Sequence, residues 1–177
     1  GIEIPGVRQA LEQMQADGIR QVAVQPTHMM NGFEYWKLYR EVEEMQDRFE
    51  QVSVGQPLLT DLDDCDRVLQ ELAQAISPAE DEALVLMGHG SLHYANFVYA
   101  ALDYRLKELG YPNIHIGTVE AWPSLKSVQV HVREQHPGKV ILAPFLMVAG
   151  DHATNDLAGD EEDSWKSCFE ADGYQVE

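Results

Sequence analysis

The chain has 177 residues, of which 45% are hydrophobic, so it is long enough to bury a core of its own. Its formal net charge of −18 comes from 30 acidic and 12 basic residues. This balance argues against nucleic-acid binding, because a phosphate backbone is bound by clustered Lys and Arg. The sequence contains no apolar run of about 18 residues and no secretory signal pattern, so we expect a cytoplasmic protein without membrane partners.

The helices and strands follow from the hydrophobic periodicity. Helices are predicted near residues 5–17, 33–49, 61–76, 92–109 and 123–135, and strands at 21–24, 52–54, 83–87, 114–119, 139–142 and in the last residues, 174–177. Strands that alternate with helices predict an α/β fold with parallel sheets flanked by helices. In such sheets ligands bind at the carboxyl ends of the strands, so the residues that follow each strand are the first candidates for a site.

An internal repeat predicts two lobes. The segment that begins at Pro5 matches the segment that begins at Pro123 with a constant offset of 118 residues, and both read proline, helix, strand, proline, loop. This pattern favours two similar lobes, although a chance match of a common βαβ pattern is the alternative. A polar stretch around Pro78 places the boundary between an N-terminal lobe at 1–78 and a C-terminal lobe at 79–177. We expect the first lobe to lack its first strand and the second to lack its C-terminal end.

Three strand ends in the second lobe each carry a side chain that can bind a metal ion or move a proton. His89 stands between two glycines, Glu120 follows the next strand, and His152 follows a glycine turn. Each residue alone has a simpler interpretation, such as a polar turn or an acid at a helix N-terminus. Together, two histidines and a carboxylate predict a divalent-metal site with open positions, in which Asp151 or Asp156 orients His152.

Cysteine ligands are not expected at this site. Cys65 and Cys168 are far apart in sequence and form no Cys-x-x-Cys pair, which disfavours both a disulfide framework and a thiolate metal site. The metal ligands are therefore expected to be nitrogen and oxygen atoms, and no organic cofactor is expected.

Other residues are candidates for lining the same cleft. Each of them lies in a segment that follows a predicted strand, and the candidates are His28, Met29, His93, Met147 and Val148. Ordinary anchoring of these loops to the core is an equally good explanation. Three further histidines are interpreted as structural or surface residues outside the site, namely His115, His131 and His136.

The sequence resembles a known family, the anaerobic cobalt chelatases of cobalamin biosynthesis, also called sirohydrochlorin cobaltochelatases, in the class II chelatase group. The resemblance rests on motifs along the whole chain, of which the fourth is the most specific: residues 24–28 (VQPTH), 87–90 (MGHG), 117–120 (GTVE), 146–156 (LMVAGDHATND) and 163–166 (DSWK). It implies a fold of two lobes with a cleft between them. It also implies that family members extend beyond this chain at both ends.

The resemblance further implies insertion of Co²⁺ into sirohydrochlorin without ATP hydrolysis. His89 and His152 would bind the metal and accept protons, and Glu120 would be the carboxylate ligand. The substrate is a polycarboxylate, so local positive charge is needed in an acidic protein, and the candidates are Arg8, Arg20, Lys37, Arg40 and Arg105.

Several alternatives stay open from the sequence. Nitrogen and oxygen ligands do not reject Fe²⁺ or Ni²⁺, so the chain could insert another divalent metal. A carrier that binds a metal or tetrapyrrole without catalysis, and a structural α/β lobe, are alternatives from other classes. The sequence is also compatible with a homo-oligomer.

Overall fold

A computed structural model describes residues 4–177 of the chain. Its backbone contacts divide the chain into two compact units, Gly1–Thr60 and Asp61–Glu177. The predicted lobes divide the chain after residue 78 instead. The difference is one helix, which belongs to the second unit because it packs against the next helix of that unit and its Asp66 pairs with Arg105 at 2.6 Å.

The first unit is a two-stranded parallel sheet with helices. Its elements are α1 (Val7–Ala16), β1 (Gln21–Val24), α2 (Phe33–Glu43) and β2 (Gln51–Val54), with a short 3-10 turn at Gln46–Arg48. The strands pair in register, with Val22 opposite Val52. The hydrophobic sides of the helices and strands form one core, whose buried members are Leu11, Val22, Val42 and Met45.

The second unit is a four-stranded parallel sheet with the strand order β4-β3-β5-β6. Its helices are α3 (Leu62–Ile76), α4 (Phe97–Glu108), α5 (Leu125–Gln135) and α6 (Trp165–Ala171). Its strands are β3 (Glu82–Gly88), β4 (Ile114–Thr118), β5 (Lys139–Pro144) and β6 (Gln175–Val176). A 3-10 turn at Tyr94–Asn96 precedes α4, and one π-helical turn lies at Ala153–Leu157.

Strand β3 lies at the centre of this sheet and is buried on both faces. Ala83, Val85 and Met87 pack on one face against α5 and α6, in a cluster that includes Trp165 and Phe169. Side chains alternate along a strand, so Leu84 and Leu86, which are at most 1% exposed, face the opposite side. A strand covered on both faces reads as a continuous apolar run, which is why residues 83–87 gave a clear signal.

The predicted α/β class with parallel sheets flanked by helices is confirmed. The repeat is also visible in the elements, since α1 and β1 begin 118 residues before α5 and β5. Helix α4 begins at Phe97 rather than near residue 92, because the side chains of His93 and Asn96 accept hydrogen bonds from backbone N–H groups and favour a turn there. Helix α6 was not predicted. In the part of the chain that the structure describes, no helix has the length and apolar character needed to cross a membrane.

Candidate metal centre

Parallel pairing brings the carboxyl ends of three strands to one edge of the second unit's sheet. Gly88 of β3 lies opposite Thr118 of β4, and Met87 lies opposite Pro144 of β5. The residues that follow these ends therefore emerge at the same edge. Two of the predicted ligands follow at once, His89 directly after β3 and Glu120 two residues after β4.

Two glycines give the loop at His89 its shape. A Cβ on Gly88 would lie 2.4 Å from Cε1 of Tyr99, a side chain that is only 1% exposed. Gly90 has φ +91°, a conformation that side-chain-bearing residues rarely adopt, and a Cβ there would lie 2.9 Å from the backbone nitrogen of Ala121. The glycines thus let the chain turn sharply and let the loop after β4 approach closely.

The imidazole of His89 is oriented by its own loop. Its Nδ1 lies 2.8 Å from the carbonyl oxygen of Gly90, and since a carbonyl can only accept, Nδ1 carries the hydrogen. In the neutral ring the lone pair is then on Nε2. Burial of this side chain is incomplete, with 47% of its surface exposed, so the ring is accessible from solvent.

Glu120 is held against the same loop. Its backbone N–H donates to the carbonyl of His89 at 2.9 Å, and its carboxylate Oε2 lies 3.8 Å from Nδ1 of His89. The backbone hydrogen bond extends the β3–β4 pairing beyond the ends of the two strands. It fixes a carboxylate beside an imidazole at an open edge of the sheet.

His152 comes from the longer segment after β5 and stands at the start of the π-helical turn, a type of turn that is often found at functional sites. Its Nδ1 donates to Oδ2 of Asp156 at 2.7 Å. Of the two acids that the sequence offered as its orienting partner, Asp156 makes this bond. Asp151 instead accepts a hydrogen bond from Asn155 at 2.8 Å.

These three side chains meet. One possible ligand atom from each of His89, Glu120 and His152 lies within 4.8 Å of the other two. The two imidazole rings are edge to face, with centroids 4.6 Å apart and an interplanar angle of 86°. Two nitrogens and a carboxylate in this arrangement suit a borderline divalent cation, and the exposed side leaves coordination positions for another ligand.

The other candidate residues of the second unit do not join this group. His93 is half-buried, and its Nδ1 accepts a hydrogen bond from the backbone N–H of Ala95 at 3.1 Å. Met147 and Val148 are 47% and 76% exposed and lie in the loop before His152. His115 is buried in β4, whereas His131 lies on α5 and His136 at its end.

The remaining candidates belong to the first unit. His28 and Met29 are half-buried in the loop after β1. The ring of His28 meets the ring of Tyr35 edge-on at 6.5 Å, and among the described residues its buried Nδ1 has no hydrogen-bond partner.

Most of the arginines considered for substrate carboxylates are paired within the protein. Arg8 pairs with Glu44 and Arg20 with Glu50, and Arg105 forms a two-pronged contact with Asp66 at 2.8 and 2.6 Å. Their charge is therefore largely neutralised locally.

Sequence reasoning missed two residues beside the His89 loop, which are Asn96, where the 3-10 turn meets α4, and Tyr99 in α4. Asn96 is 7% exposed and bonds to backbone groups of both ligand-bearing loops. The available signal was an Asn inside the helix predicted near 92–109, where such a residue is more simply interpreted as a helix cap.

Two histidines and a carboxylate converge at the carboxyl ends of parallel strands in an α/β unit. This arrangement is typical of proteins that bind a divalent metal at an open site. Comparison with known proteins narrows this class. All of residues 1–177 match the model of the family described as cobalt chelatase (CbiK), and the chain belongs to that family, as the sequence motifs predicted.

Two curated relatives agree with this assignment. The chain is 39% identical to the sirohydrochlorin cobaltochelatase of Salmonella typhimurium over 174 residues, which is 98% of this chain and 66% of that protein. It is 38% identical to the sirohydrochlorin cobaltochelatase CbiKC of Nitratidesulfovibrio vulgaris over 175 residues, 96% of this chain and 61% of that protein. The chain thus spans a little under two thirds of the length of each of these relatives.

Proposed function

We propose that this chain inserts Co²⁺ into sirohydrochlorin, with the metal held by His89, Glu120 and His152 before transfer. The observation that carries the proposal is the meeting of one ligand atom from each of these side chains within 4.8 Å. Membership of the cobalt chelatase family and the names of the two relatives support the choice of metal and macrocycle.

The reaction requires ligands that can release the metal ion to the macrocycle and a base close to the macrocycle. Two pyrrole N–H protons must leave the macrocycle as the metal enters. In each imidazole one nitrogen is occupied by a hydrogen-bond acceptor, Gly90 for His89 and Asp156 for His152, and the other nitrogen can bind the metal and then take a proton. An open set of three protein ligands favours transfer over retention. The reaction needs no ATP and no organic cofactor.

The macrocycle is proposed to stack on apolar side chains near the metal. Exposed apolar groups adjoin the ligand loops in sequence, and these are Leu92 after His89, Trp122 after Glu120, and Met147 and Val148 before His152. A flat, hydrophobic ring can cover such side chains. His28, Met29 and His93 remain proposed contacts of the same substrate.

We also propose that the protein acts in the cytoplasm. Both Cys65 and Cys168 are free, which suits a reducing compartment.

Insertion can be followed by the visible absorption of sirohydrochlorin mixed with Co²⁺ without oxygen. The expected result is faster metallation with the chain than without it, and loss of that acceleration in His89→Ala and His152→Ala. His136→Asn is the control, because His136 lies at the end of α5 with φ 53°, a conformation that Asn tolerates. Cobalt binding without acceleration would favour a carrier. Faster insertion of Fe²⁺ or Ni²⁺ than of Co²⁺ would change the metal assigned.

A further inference from the structure

We propose that Asn96 is a positioning residue that sets the separation of His89 and Glu120 by joining their two loops. The inference rests on the proposed function, since it assumes that these residues bind a metal. Asn96 forms its side-chain hydrogen bonds with backbone groups. It acts through the backbone of the loops that carry His89 and Glu120.

The side chain of Asn96 bridges two backbone segments that are more than 25 residues apart in sequence. Its Oδ1 accepts a hydrogen bond from the N–H of Ser91 at 2.8 Å, in the loop of His89. Its Nδ2 donates to the carbonyl oxygen of Trp122 at 2.5 Å, in the loop of Glu120. Because Ser91 offers a donor and Trp122 an acceptor, the chemistry of the partners fixes which end of the amide faces which loop.

The bridge completes a set of bonds around the ligand residues. On the strand side, the N–H groups of Val119 and Glu120 donate to the carbonyls of Gly88 and His89 at 3.0 and 2.9 Å. On the far side, Asn96 ties the residues that come after each ligand. His89 and Glu120 are therefore held between two sets of hydrogen bonds, so that neither loop can move away from the other without breaking at least one of them.

The anchor of the bridge is buried. Asn96 lies where the 3-10 turn meets α4, and it is 7% exposed. The first turn of α4 contains the buried Tyr99, whose ring lies against Gly88 at the start of the His89 loop. The two hydrogen bonds of Asn96 therefore connect both ligand loops to the start of α4.

The chain offers a matched control in Asn113. Its Nδ2 also joins two backbone positions, donating to the carbonyls of Ala79 and Glu82 at 2.9 Å each. These contacts lie at the amino ends of β3 and β4, whereas the ligands follow the carboxyl ends. Removing Asn113 also takes away two hydrogen bonds from a side-chain amide to the backbone, without touching either ligand loop.

The test is a Co²⁺ titration of the whole chain, read by affinity and by the visible ligand-field spectrum of the bound ion. Asn96→Ala is expected to weaken Co²⁺ binding by about tenfold or more and to change the spectrum, because groups that orient metal ligands commonly contribute that much to affinity. Asn113→Ala is expected to keep the wild-type spectrum and an affinity within about twofold, even if both variants are less stable to urea.

Asn96→Asp gives an independent reading and serves if the alanine variant does not fold. A carboxylate can still accept from Ser91 but cannot donate to Trp122, so it should release the Glu120 loop and weaken Co²⁺ binding in the same direction. Wild-type affinity and spectrum in a folded Asn96 variant would overturn the positioning role. If the wild-type chain itself bound no Co²⁺, the proposed function would fail. His89→Ala and His152→Ala separate this failure from a failure of the positioning role alone, because both variants should abolish Co²⁺ binding if the proposed metal site is right, whether or not Asn96 positions the ligands.

Discussion

At the residue scale, each of the two histidines of the candidate site is oriented by a hydrogen bond from its Nδ1, but the acceptors differ. His89 donates its Nδ1 hydrogen to a backbone carbonyl, and His152 donates its own to the carboxylate of Asp156. Such partners fix the orientation of the ring and the nitrogen that is left for a metal.

Replacement of Asp156 by Asn is expected to weaken Co²⁺ binding by about 10- to 100-fold, because the carboxylate that orients His152 is replaced by a neutral amide, which is a weaker hydrogen-bond acceptor. The affinity is measured by competition with a coloured chelator. Asp151→Asn is the control, since Asp151 lies on the same turn and bonds to Asn155 rather than to His152. Equal affinities in the two variants would contradict the role given to Asp156.

Replacement of Gly88 by Ala is expected to cost about 1–3 kcal/mol of the free energy of unfolding, because the new methyl group would overlap the buried ring of Tyr99. Urea unfolding measures this loss. Gly138→Ala is the control, since a Cβ there makes only ordinary contact, 3.7 Å from the carbonyl of Asp81. A Gly88 variant as stable as the control would mean that the loop has room to adjust.

At the element scale, α4 protects the edge strand of the second unit's sheet as well as supporting the site. β4 pairs with β3 on one side, and on its other side the N–H of Ile116 donates to Asp103 at 2.8 Å while Lys107 donates to the carbonyl of Ile114 at 2.6 Å. Asp103 and Lys107 also pair with each other at 2.9 Å. One helix thus covers the backbone groups that an edge strand would otherwise expose.

Replacement of Asp103 by Ala is therefore expected to destabilise the fold by about 1–3 kcal/mol, because it leaves a strand N–H and the Lys107 ammonium without this partner. Thermal or urea unfolding would detect the loss. Asp160→Ala removes an acid that is 97% exposed and paired with Lys166, and it should change stability by less than about 0.5 kcal/mol. Similar small effects of both variants would show that the edge of β4 does not depend on α4.

Strand β4 also carries a buried histidine, His115, whose protonation depends on pH. Burial lowers the pKa of His115 below its ordinary value of 6.5, although a hydrogen bond with Gln135 acts in the opposite direction. The unfolded chain then binds a proton more readily than the folded one, so His115 should make the fold less stable as the pH falls below 6.5. Wild type should lose more unfolding free energy between pH 7.5 and about pH 5.5 than His115→Gln does. Equal losses would contradict this assignment.

At the scale of the whole molecule, periodicity predicted most of the fold because buried strands and amphipathic helices leave distinct patterns. The rule that ligands follow strand ends then selected His89 and Glu120, and the glycine turn selected His152. The division of the chain was less accessible, since α3 joins the second unit through contacts such as Asp66 with Arg105, which are 39 residues apart. The bridging role of Asn96 depends on two loops meeting in space, which one sequence does not reveal. Helix α6 has seven residues, too few for a clear period.

The most direct test of the central claim is a single turnover with metal already on the protein. The chain is loaded with one equivalent of Co²⁺, then mixed without oxygen with sirohydrochlorin and an excess of a strong chelator. Our account predicts that cobalt sirohydrochlorin forms in wild type before the chelator captures the metal, and that His89→Ala and His152→Ala give none. Capture of all the cobalt by the chelator in wild type, with no metallated product, would contradict insertion by this chain.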